Sequence, residues 1–118
     1  MKKVLLIDDC KFITEVYSDF LSSRGYRVES VNSPFGVTTN ITKNKPDVVL
    51  LDLNLPGLSG RGVLELLNGQ RTSRIIVISA DSRVEEMKGL ALSGLADDYF
   101  VKGNDLDYLD QKIKKLVI

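Results

Sequence analysis

Five polar residues, each at the end of a short apolar run or just beyond it, carry side chains that could act together. Asp8 and Asp9 close the run KVLLIDD, and Asp52 closes DVVLLD. Ser79 closes RIIVIS, and Lys102 follows DYFV. A strand commonly ends in a polar residue because the chain has reached water, so each of the five is unremarkable alone. As a set, three carboxylates, a hydroxyl and an ammonium suit a divalent cation and a phosphoryl group.

The elements that carry these residues follow from the pattern of apolar residues. Five β-rich runs are predicted as strands β1 to β5, at residues 3–8, 27–31, 47–52, 74–79 and 98–101. Helices are predicted after each strand, and Ser33 with Pro34 is predicted to start the second. The apolar stripes are Ile13, Val16, Tyr17, Phe20 and Leu21 in the first helix, which Gly25 caps, Val63, Leu66 and Leu67 in the third, Val84, Met87 and Ala91 in the fourth, and Leu106, Leu109, Ile113, Leu116 and Val117 in the fifth.

Strands that alternate with helices predict a parallel α/β sheet covered on both faces. The runs 48–51 and 75–78 are continuously apolar, as in strands buried on both sides, whereas β2 alternates polar and apolar residues and is placed at an edge. Right-handed crossovers then favour the strand order 2-1-3-4-5. The predicted fold is a doubly wound, flavodoxin-like (βα)5 sandwich that forms one domain over residues 1–118.

In a sheet of this order, ligands bind beyond the carboxyl ends of the strands, where the order reverses between β1 and β3. Asp8, Asp9 and Asp52 would meet there and raise one another's pKa unless a cation compensates. Mg2+ prefers such oxygen ligands, and Mg2+ with Lys102 would balance the three negative charges. A carboxylate nucleophile would form an acyl phosphate, whose added charge Ser79 and Lys102 could hold.

The composition excludes several classes of function. The chain has 118 residues, 43% hydrophobic and 27% charged, which suits one compact domain. Its formal net charge is zero, so nothing favours binding to nucleic acid or to an anionic membrane. The sequence has no histidine, which removes His-ligated metal sites and a histidine base. The single cysteine, Cys10, and the lack of a long apolar segment predict a cytoplasmic protein with no internal disulfide and no membrane span.

The pieces LLIDD, VVLLDLNLPGLSG, IIVISA and DYFVK stand in an order and at a spacing that resemble the receiver domain of bacterial two-component response regulators. The resemblance covers essentially the whole chain. It implies that a sensor histidine kinase or a phosphotransfer protein donates a phosphoryl group to Asp52 in the presence of Mg2+. Asp8, Asp9, Asp52 and the backbone carbonyl of Asn54 match the metal ligands of the family. Asp9 is then the more direct ligand, and Asp8 acts mainly through water.

The same resemblance implies how a signal leaves the site. Ser79 and Lys102 match the residues that hold the phosphoryl group, and Tyr99 matches an aromatic residue that turns inward on activation. The surface expected to change consists of residues 83–92, Tyr99 and the helix after Asn104. A downstream protein or an output domain is the expected partner of that surface.

Residues around the acceptor are expected to set the loop and the lifetime of the phosphoryl group. Pro56 and Gly57 would shape the loop after Asp52, and Gly60 would open the third helix. Asn54 and Asp81 flank the path of water to the phosphorus, and both are small and polar. We therefore expect a short-lived phosphoryl group and self-dephosphorylation, not turnover of an external substrate.

The chain departs from the family pattern at two places. The family has proline after the site lysine, joined by a cis peptide, but Lys102 is followed by Gly103. Glycine can instead take a positive φ, so the loop is expected to turn differently. In SGLADDYF, Leu95 is inserted between the glycine and the alanine that precede β5 in the family. The surface around the fourth helix and β5 is therefore expected to be unusual.

Other charged groups have structural interpretations. The segment QKIKK, residues 111–115, is predicted to be the exposed face of the last helix. Asp97 and Asp98 are predicted to mark the turn into β5, at the opposite end of the sheet from Asp52, and not a second metal site. Cys10 is interpreted as a small residue that opens the first loop.

Two other functions fit parts of the pattern. A receiver-like module could bind partners without phosphorylation, but such modules usually lack an acidic residue, the serine or the lysine, and all are present here. A Mg2+-dependent phosphatase with an aspartyl nucleophile is the second alternative. The best-known such family carries an Asp-x-Asp motif after its first strand, whereas Asp8 and Asp9 are adjacent. No glycine fingerprint for dinucleotides follows β1.

Overall fold

The computed structural model describes residues 1–32, 36–55, 59–68 and 73–117, and only the backbone of residues 37 and 38. The five predicted strands are present, with boundaries within one residue of the prediction. The strands are β1 (Lys3–Ile7), β2 (Arg27–Val31), β3 (Val48–Asp52), β4 (Arg74–Ser79) and β5 (Asp98–Val101). The helices are α1 (Lys11–Ser23), α2 (Val37–Asn44), α3 (Gly60–Leu67), α4 (Val84–Leu92) and α5 (Leu106–Leu116), with a 3-10 turn at Asp81–Arg83 before α4.

All the strand pairs are parallel, and the order is β2-β1-β3-β4-β5, which confirms the predicted topology. The two central runs are buried throughout, because helices cover both faces of the sheet. Only parts of β2 are shielded, as its edge position requires. This order creates the switch point between β1 and β3.

Alternate residues of the strands contribute to two separate hydrophobic cores, one on each face of the sheet. On one face, Leu51 and Val77 pack with the apolar sides of α2, α3 and α4. On the other, Leu50 and Ile78 pack with Tyr17 and the apolar sides of α1 and α5. The period of two in a strand produces this division, since successive side chains point to opposite faces.

Two glycines lie at the ends of helices, as the sequence predicts. Gly25 lies just beyond α1 with φ +91°, as predicted for a helix cap. Gly60 opens α3, where an added Cβ would lie 3.0 Å from the Cα of Leu53 and 2.8 Å from its Cδ2. Ser33 and Pro34, the predicted start of α2, lie outside the described residues.

Three predictions about exposure were wrong. Val16 was placed in the apolar stripe of α1, but it is 37% exposed. Leu66 was placed in the buried stripe of α3, but it is 66% exposed, because Leu64 packs into the core beside Val63 and Leu67. Lys112 was placed on the exposed face of α5, but it is 9% exposed. Its ammonium lies over the rings of Tyr99 and Tyr108 and pairs with the carboxylate of Asp98.

A buried carboxylate fastens α5 to the end of α1 and the start of β2. Asp110 accepts a hydrogen bond of 2.6 Å from the hydroxyl of Tyr26 and pairs with Arg24 at 3.2 Å and with Lys114 at 3.3 Å. Burial tends to raise the pKa of Asp110, but Tyr26 and Lys114 outweigh it and lower that pKa. Arg24 also pairs with Asp107 on the first turn of α5. The middle of α5 is thus held by charged contacts as well as by its apolar stripe.

None of the helices in the described ranges is long and apolar enough to cross a lipid bilayer.

Candidate functional site

The registers of the central strands bring two acidic residues to the same point of the sheet edge. Ile7 of β1 pairs with Leu51 of β3, so the residues that follow them, Asp8 and Asp52, are neighbours. Both lie at the end of apolar strands and are buried, with exposures of 1% and 2%. Asp9, one residue further along, is exposed. The predicted meeting of the three carboxylates is therefore present.

The acidic cluster, defined as Asp8, Asp9 and Asp52, can offer one carboxylate oxygen from each residue within 4.8 Å of the others. Backbone groups orient two of these side chains. The N–H of Cys10 donates to Asp8 Oδ1 at 2.8 Å, and the N–H of Asn54 donates to Asp52 Oδ1 at 2.9 Å. These two-residue turns aim the remaining oxygens at the space between the strands.

Lys102 lies across the cluster from the end of β5. Its Nζ is 3.0 Å from Asp8 Oδ2 and 3.2 Å from Asp52 Oδ2. Among the described residues, Asp8 Oδ2 has no polar partner other than this ammonium. The lysine predicted to hold a phosphoryl group therefore serves, in this structure, as the counter-ion of the two buried carboxylates.

Burial and charge shift the pKa values of Asp8 and Lys102. Burial raises the pKa of the Asp8 carboxyl, against the opposing effects of the Cys10 N–H and Lys102, and the charge of Asp52 adds to the increase. Burial acts to lower the pKa of Lys102, but its bonds and charge interactions with Asp8 and Asp52 outweigh it and raise that pKa. The pKa of Asp8 and that of Lys102 therefore both depend on the charges of the neighbouring groups.

The cluster fits Mg2+ better than a soft metal. It provides only carboxylate oxygens, which are the ligands of hard cations. Their spread is close to the roughly 4 Å between opposite oxygens of an ion bound at about 2.0–2.1 Å. Three carboxylates and one ammonium leave negative charge uncompensated, and a divalent cation would neutralise it.

The other predicted residues surround this cluster. Ser79 ends β4, is buried, and accepts the N–H of Lys102 at its backbone oxygen at 2.9 Å. Asn54 and Asp81 are exposed and follow β3 and β4 by two residues each. Tyr99 is half-buried, opposite Val77, on the face that carries α4. Pro56 and Gly57 lie outside the described residues.

The structure shows the local conformation at Gly103 and at Leu95, the two residues where the sequence departs from the expected family pattern. The Lys102–Gly103 peptide is trans, and Gly103 has φ +93°, so glycine turns the chain by its freedom of φ, as expected. After α4, Gly94 also has a positive φ, and the side chain of Leu95 packs against the core below α4. Leu95 therefore contributes to the core, and β5 begins three residues later, at Asp98.

Asp97 and Asp98 lie where β5 begins, at the opposite end of the sheet from the acidic cluster, as predicted. Asp97 accepts the N–H of Ile75 at 2.7 Å and lies 3.4 Å from Arg74, so it joins the starts of β4 and β5. Asp98 pairs at 2.8 Å with Lys112, a residue that the helical pattern predicts to be exposed. The periodicity of α5 contained no signal for that contact, because it depends on a strand 14 residues away.

A parallel sheet of this order, with an acidic cluster and a lysine at its switch point, defines the class of signalling receiver domains. The sequence model of the response regulator receiver domain matches residues 4–114, and the chain belongs to that family.

Similar proteins agree with this assignment. The transcriptional regulatory protein KdpE of Mycobacterium tuberculosis is 37% identical over 117 residues, which are 99% of this chain and 51% of KdpE. YxdJ of Bacillus subtilis, another transcriptional regulatory protein, is 32% identical over the same shares of the two chains. The chain thus spans about half the length of the curated relatives it matches.

Solved structures show the same fold. The N-terminal domain of the nisin resistance regulator NsrR superposes with a TM-score of 0.89 at 30% identity, covering 100% of this chain and 99% of that domain. The response regulator TrrA of Thermotoga maritima, solved in complex with Mg2+-BeF, has a TM-score of 0.85 at 30% identity, with 98% of this chain and 99% of TrrA covered.

The conformation of Gly103 leads to a prediction about the residue that the family usually carries. Proline has φ near −65°, so Gly103→Pro should lower the free energy of unfolding by more than about 1 kcal/mol, and Gly103→Ala should also destabilise the fold. Gly89→Ala is the control, because Gly89 lies within α4 and an added Cβ meets nothing within 4 Å. That change should be stabilising by roughly 0.5–1 kcal/mol. Chemical denaturation of the three variants measures this, and a stabilised Gly103→Pro protein would contradict the assigned turn.

Proposed function

We propose that this receiver domain is a phosphorylation-controlled switch in which Asp52 accepts a phosphoryl group from a sensor histidine kinase or a phosphotransfer protein. The observation that supports this most directly is the pairing of Lys102 with Asp52 and Asp8 inside the acidic cluster. The nucleophile, the oxygens of the proposed metal site and a cation that can pair with the product all lie close together. A receiver-like module that binds partners without phosphorylation remains the alternative.

Asp52 has the position that a carboxylate nucleophile requires. Asn54 holds one of its oxygens by a backbone hydrogen bond, and Lys102 holds the other. One of these oxygens forms the new P–O bond as the donor's P–N bond breaks, and the imidazole of the donor leaves. The product is an acyl phosphate on Asp52, and no second substrate is turned over.

Asp8, Asp9, Asp52 and the carbonyl of Asn54 are the proposed Mg2+ ligands. Bound Mg2+ would neutralise charge on the transferred group and on the carboxylates around it. Lys102 must then share the site with a divalent cation, and its ammonium is free to pair with a phosphoryl oxygen instead. The proposed role of Lys102 thus changes from counter-ion of the empty cluster to partner of the phosphoryl group.

Phosphorylation adds about −1.5 to −2 charge and strong hydrogen-bond acceptors at Asp52. Only a state in which Ser79 and Lys102 close on these oxygens gains from that charge, so the equilibrium moves toward it. Val77 pairs with Tyr99, and Ser79 follows Val77 on the same face of β4. A shift of Ser79 toward Asp52 would open space on the path of the Tyr99 ring.

The proposed output surface consists of α4, β5 and α5. Movement of Ser79 pulls the 3-10 turn at Asp81–Arg83, and Tyr99 turns inward beneath α4. A downstream protein, or an output domain where the natural chain carries one, would read that surface. The related KdpE and YxdJ are named as transcriptional regulators, so a transcriptional output fits this proposal. We place the domain in the cytoplasm, and assign it no direct contact with nucleic acid or membrane.

Labelling with a small phosphodonor tests the acceptor. Incubation with acetyl phosphate and Mg2+ should add the mass of one phosphoryl group to the wild-type chain, and chelation of Mg2+ should prevent it. Asp52→Asn should remove the labelling, whereas Asp19→Asn, at an exposed site on α1, should not. Intact-mass spectrometry measures each case. Persistent single labelling of the Asp52→Asn protein would show that the acceptor is another residue, and an unlabelled wild type would favour the phosphorylation-independent alternative.

Replacement of Lys102 tests the metal site. Millimolar Mg2+ should raise the melting temperature of the wild-type chain, because the ligands converge only in the folded state. Lys102→Met removes an ammonium 3.0 and 3.2 Å from two ligand oxygens and should tighten Mg2+ binding by about tenfold or more. Lys115→Met, at an exposed position of α5, is the control. Calorimetric titration measures the affinities, and weaker Mg2+ binding by the Lys102→Met protein would contradict the proposed ligand set.

Access of water to the phosphorus sets the proposed lifetime. Asn54 and Asp81 are small, polar and exposed, so they admit and orient water. Asp81→Leu should slow the loss of the phosphoryl group several-fold. Ser82→Leu places the same side chain one exposed residue further along the turn and should leave the rate near wild type. Decay followed after removal of the phosphodonor separates the two, and equal rates in all three proteins would remove the water-access argument.

A further inference from the structure

Lys112 is a buried charged residue of α5 whose contact with Tyr99 the proposed chemistry does not explain. Its ammonium lies 4.9 Å from the centre of the Tyr99 ring and 4.8 Å from the centre of the Tyr108 ring. The same ammonium pairs with Asp98 Oδ1 at 2.8 Å. A lysine that is only 9% exposed requires such partners, because an unpaired ammonium is costly to bury.

The contact with Tyr99 crosses the edge of the sheet. β5 is an edge strand, and Phe100 points toward α1 and α5, whereas Tyr99 points to the face that carries α4. Lys112 extends from α5 around this edge to reach the Tyr99 ring. It therefore touches, from the opposite layer, the side chain whose orientation the switch is proposed to change.

Several contacts hold α5 in place around Lys112. Two residues before it, Asp110 fixes α5 to Tyr26 and Arg24. Next to it, Ile113 is fully buried in the core shared by α1 and α5. Asp98, which accepts the ammonium, also accepts the N–H of Tyr99 at the same oxygen, at 2.7 Å. The backbone is thus anchored at both Lys112 and Tyr99. A change in the contact between these residues therefore requires rotation of a side chain, and we expect it to be that of Tyr99.

We infer that Lys112 is a positioning residue for Tyr99, which holds the ring in its resting orientation through a cation–π contact and so sets how readily phosphorylation activates the switch. This inference rests on the proposed function. The contacts of Lys112 with Asp98 and Tyr108 do not involve the side chain of Tyr99. Only the contact with Tyr99 differs between the two states, and only that difference can shift their equilibrium.

The size of the effect follows from the strength of such contacts. A cation over an aromatic ring near a protein surface corresponds to a change of about two- to five-fold in an equilibrium constant, and more where the pair is desolvated. If the active state is rare before phosphorylation, the apparent affinity for a phosphoryl mimic changes by the same factor. Loss of the Lys112 charge should therefore lower the concentration of mimic needed for activation by about two- to five-fold.

The experiment uses the whole chain labelled with 3-fluorotyrosine, in which Tyr99→Phe assigns the fluorine signal of Tyr99. Beryllofluoride with Mg2+ is the phosphoryl mimic. Lys112→Met keeps most of the aliphatic length and removes the charge, Lys112→Arg restores a cation that stacks on aromatic rings, and Lys115→Met removes a neighbouring exposed charge. The position of the Tyr99 signal without mimic and the midpoint of the titration are measured for each protein, together with its melting temperature.

The expected result is specific to the switch. Lys112→Met should move the resting Tyr99 signal toward its activated position and lower the midpoint about two- to five-fold. Lys112→Arg should return both toward wild type, and Lys115→Met should leave both unchanged. A Lys112→Met protein that melts at a lower temperature but keeps the wild-type signal and midpoint would overturn the inference, because its lysine would be structural alone.

Failure of the proposed function gives a different result. If beryllofluoride does not bind the wild-type chain, phosphorylation of Asp52 is not its mode of control. If beryllofluoride binds but the Tyr99 signal does not move, Tyr99 is not the switch residue, and the inference about Lys112 is overturned with it. If the wild-type signal moves and Lys112→Met changes nothing, the proposed function stands and only the role of Lys112 is wrong.

Discussion

The mutual repulsion of three carboxylates at one edge of a sheet is the constraint on which the rest of this structure depends. Parallel strands in register bring Asp8 and Asp52 together, and the apolar strands behind them bury both. Lys102 makes this arrangement tolerable by pairing with the two buried carboxylates. Its ammonium does not balance the whole cluster, so the site favours a divalent cation. In the proposed switch, a phosphoryl group on Asp52 would then alter this charge balance.

The proposed path from that site to the surface runs through β4 and β5. Lys102 follows β5 and donates its backbone N–H to the carbonyl oxygen of Ser79, at the end of β4. Tyr99 lies on β5, three residues before Lys102. In the proposed switch, a change in the groups that Lys102 and Ser79 contact would therefore act on β5, the edge strand. The core on the side of α1 and α5 is fixed by the buried pair of Asp110 and Tyr26. The α1–α5 side of the sheet is thus held by buried contacts, whereas the half-buried Tyr99 lies on the α4 side. This combination fits the proposed switch, in which only Tyr99 and its surroundings move.

The sequence predicts the strands, their order and the meeting of the acidic residues, because these depend on short periodic patterns and on general rules of parallel sheets. It does not predict which partner a long polar side chain will find. Lys112 has the spacing of an exposed lysine, and its contact with Tyr99 exists only because α5 packs beside the edge of β5. Leu66 fits the helical stripe of α3, but Leu64 takes the buried position. The resting partnership of Lys102 with both Asp8 and Asp52 likewise depends on side-chain geometry that one-dimensional patterns do not contain.

The central claim is that a phosphoryl group at Asp52 changes a surface on α4, β5 and α5. Amide-shift mapping by NMR, with and without beryllofluoride and Mg2+, measures it most directly, with Asp52→Asn as the control that should not respond. The account predicts large shifts around Asp52, Ser79 and Lys102 that continue through Val84–Leu92, Tyr99 and the first turns of α5. Shifts confined to the pocket around Asp52, with α4, β5 and α5 unchanged, would contradict it.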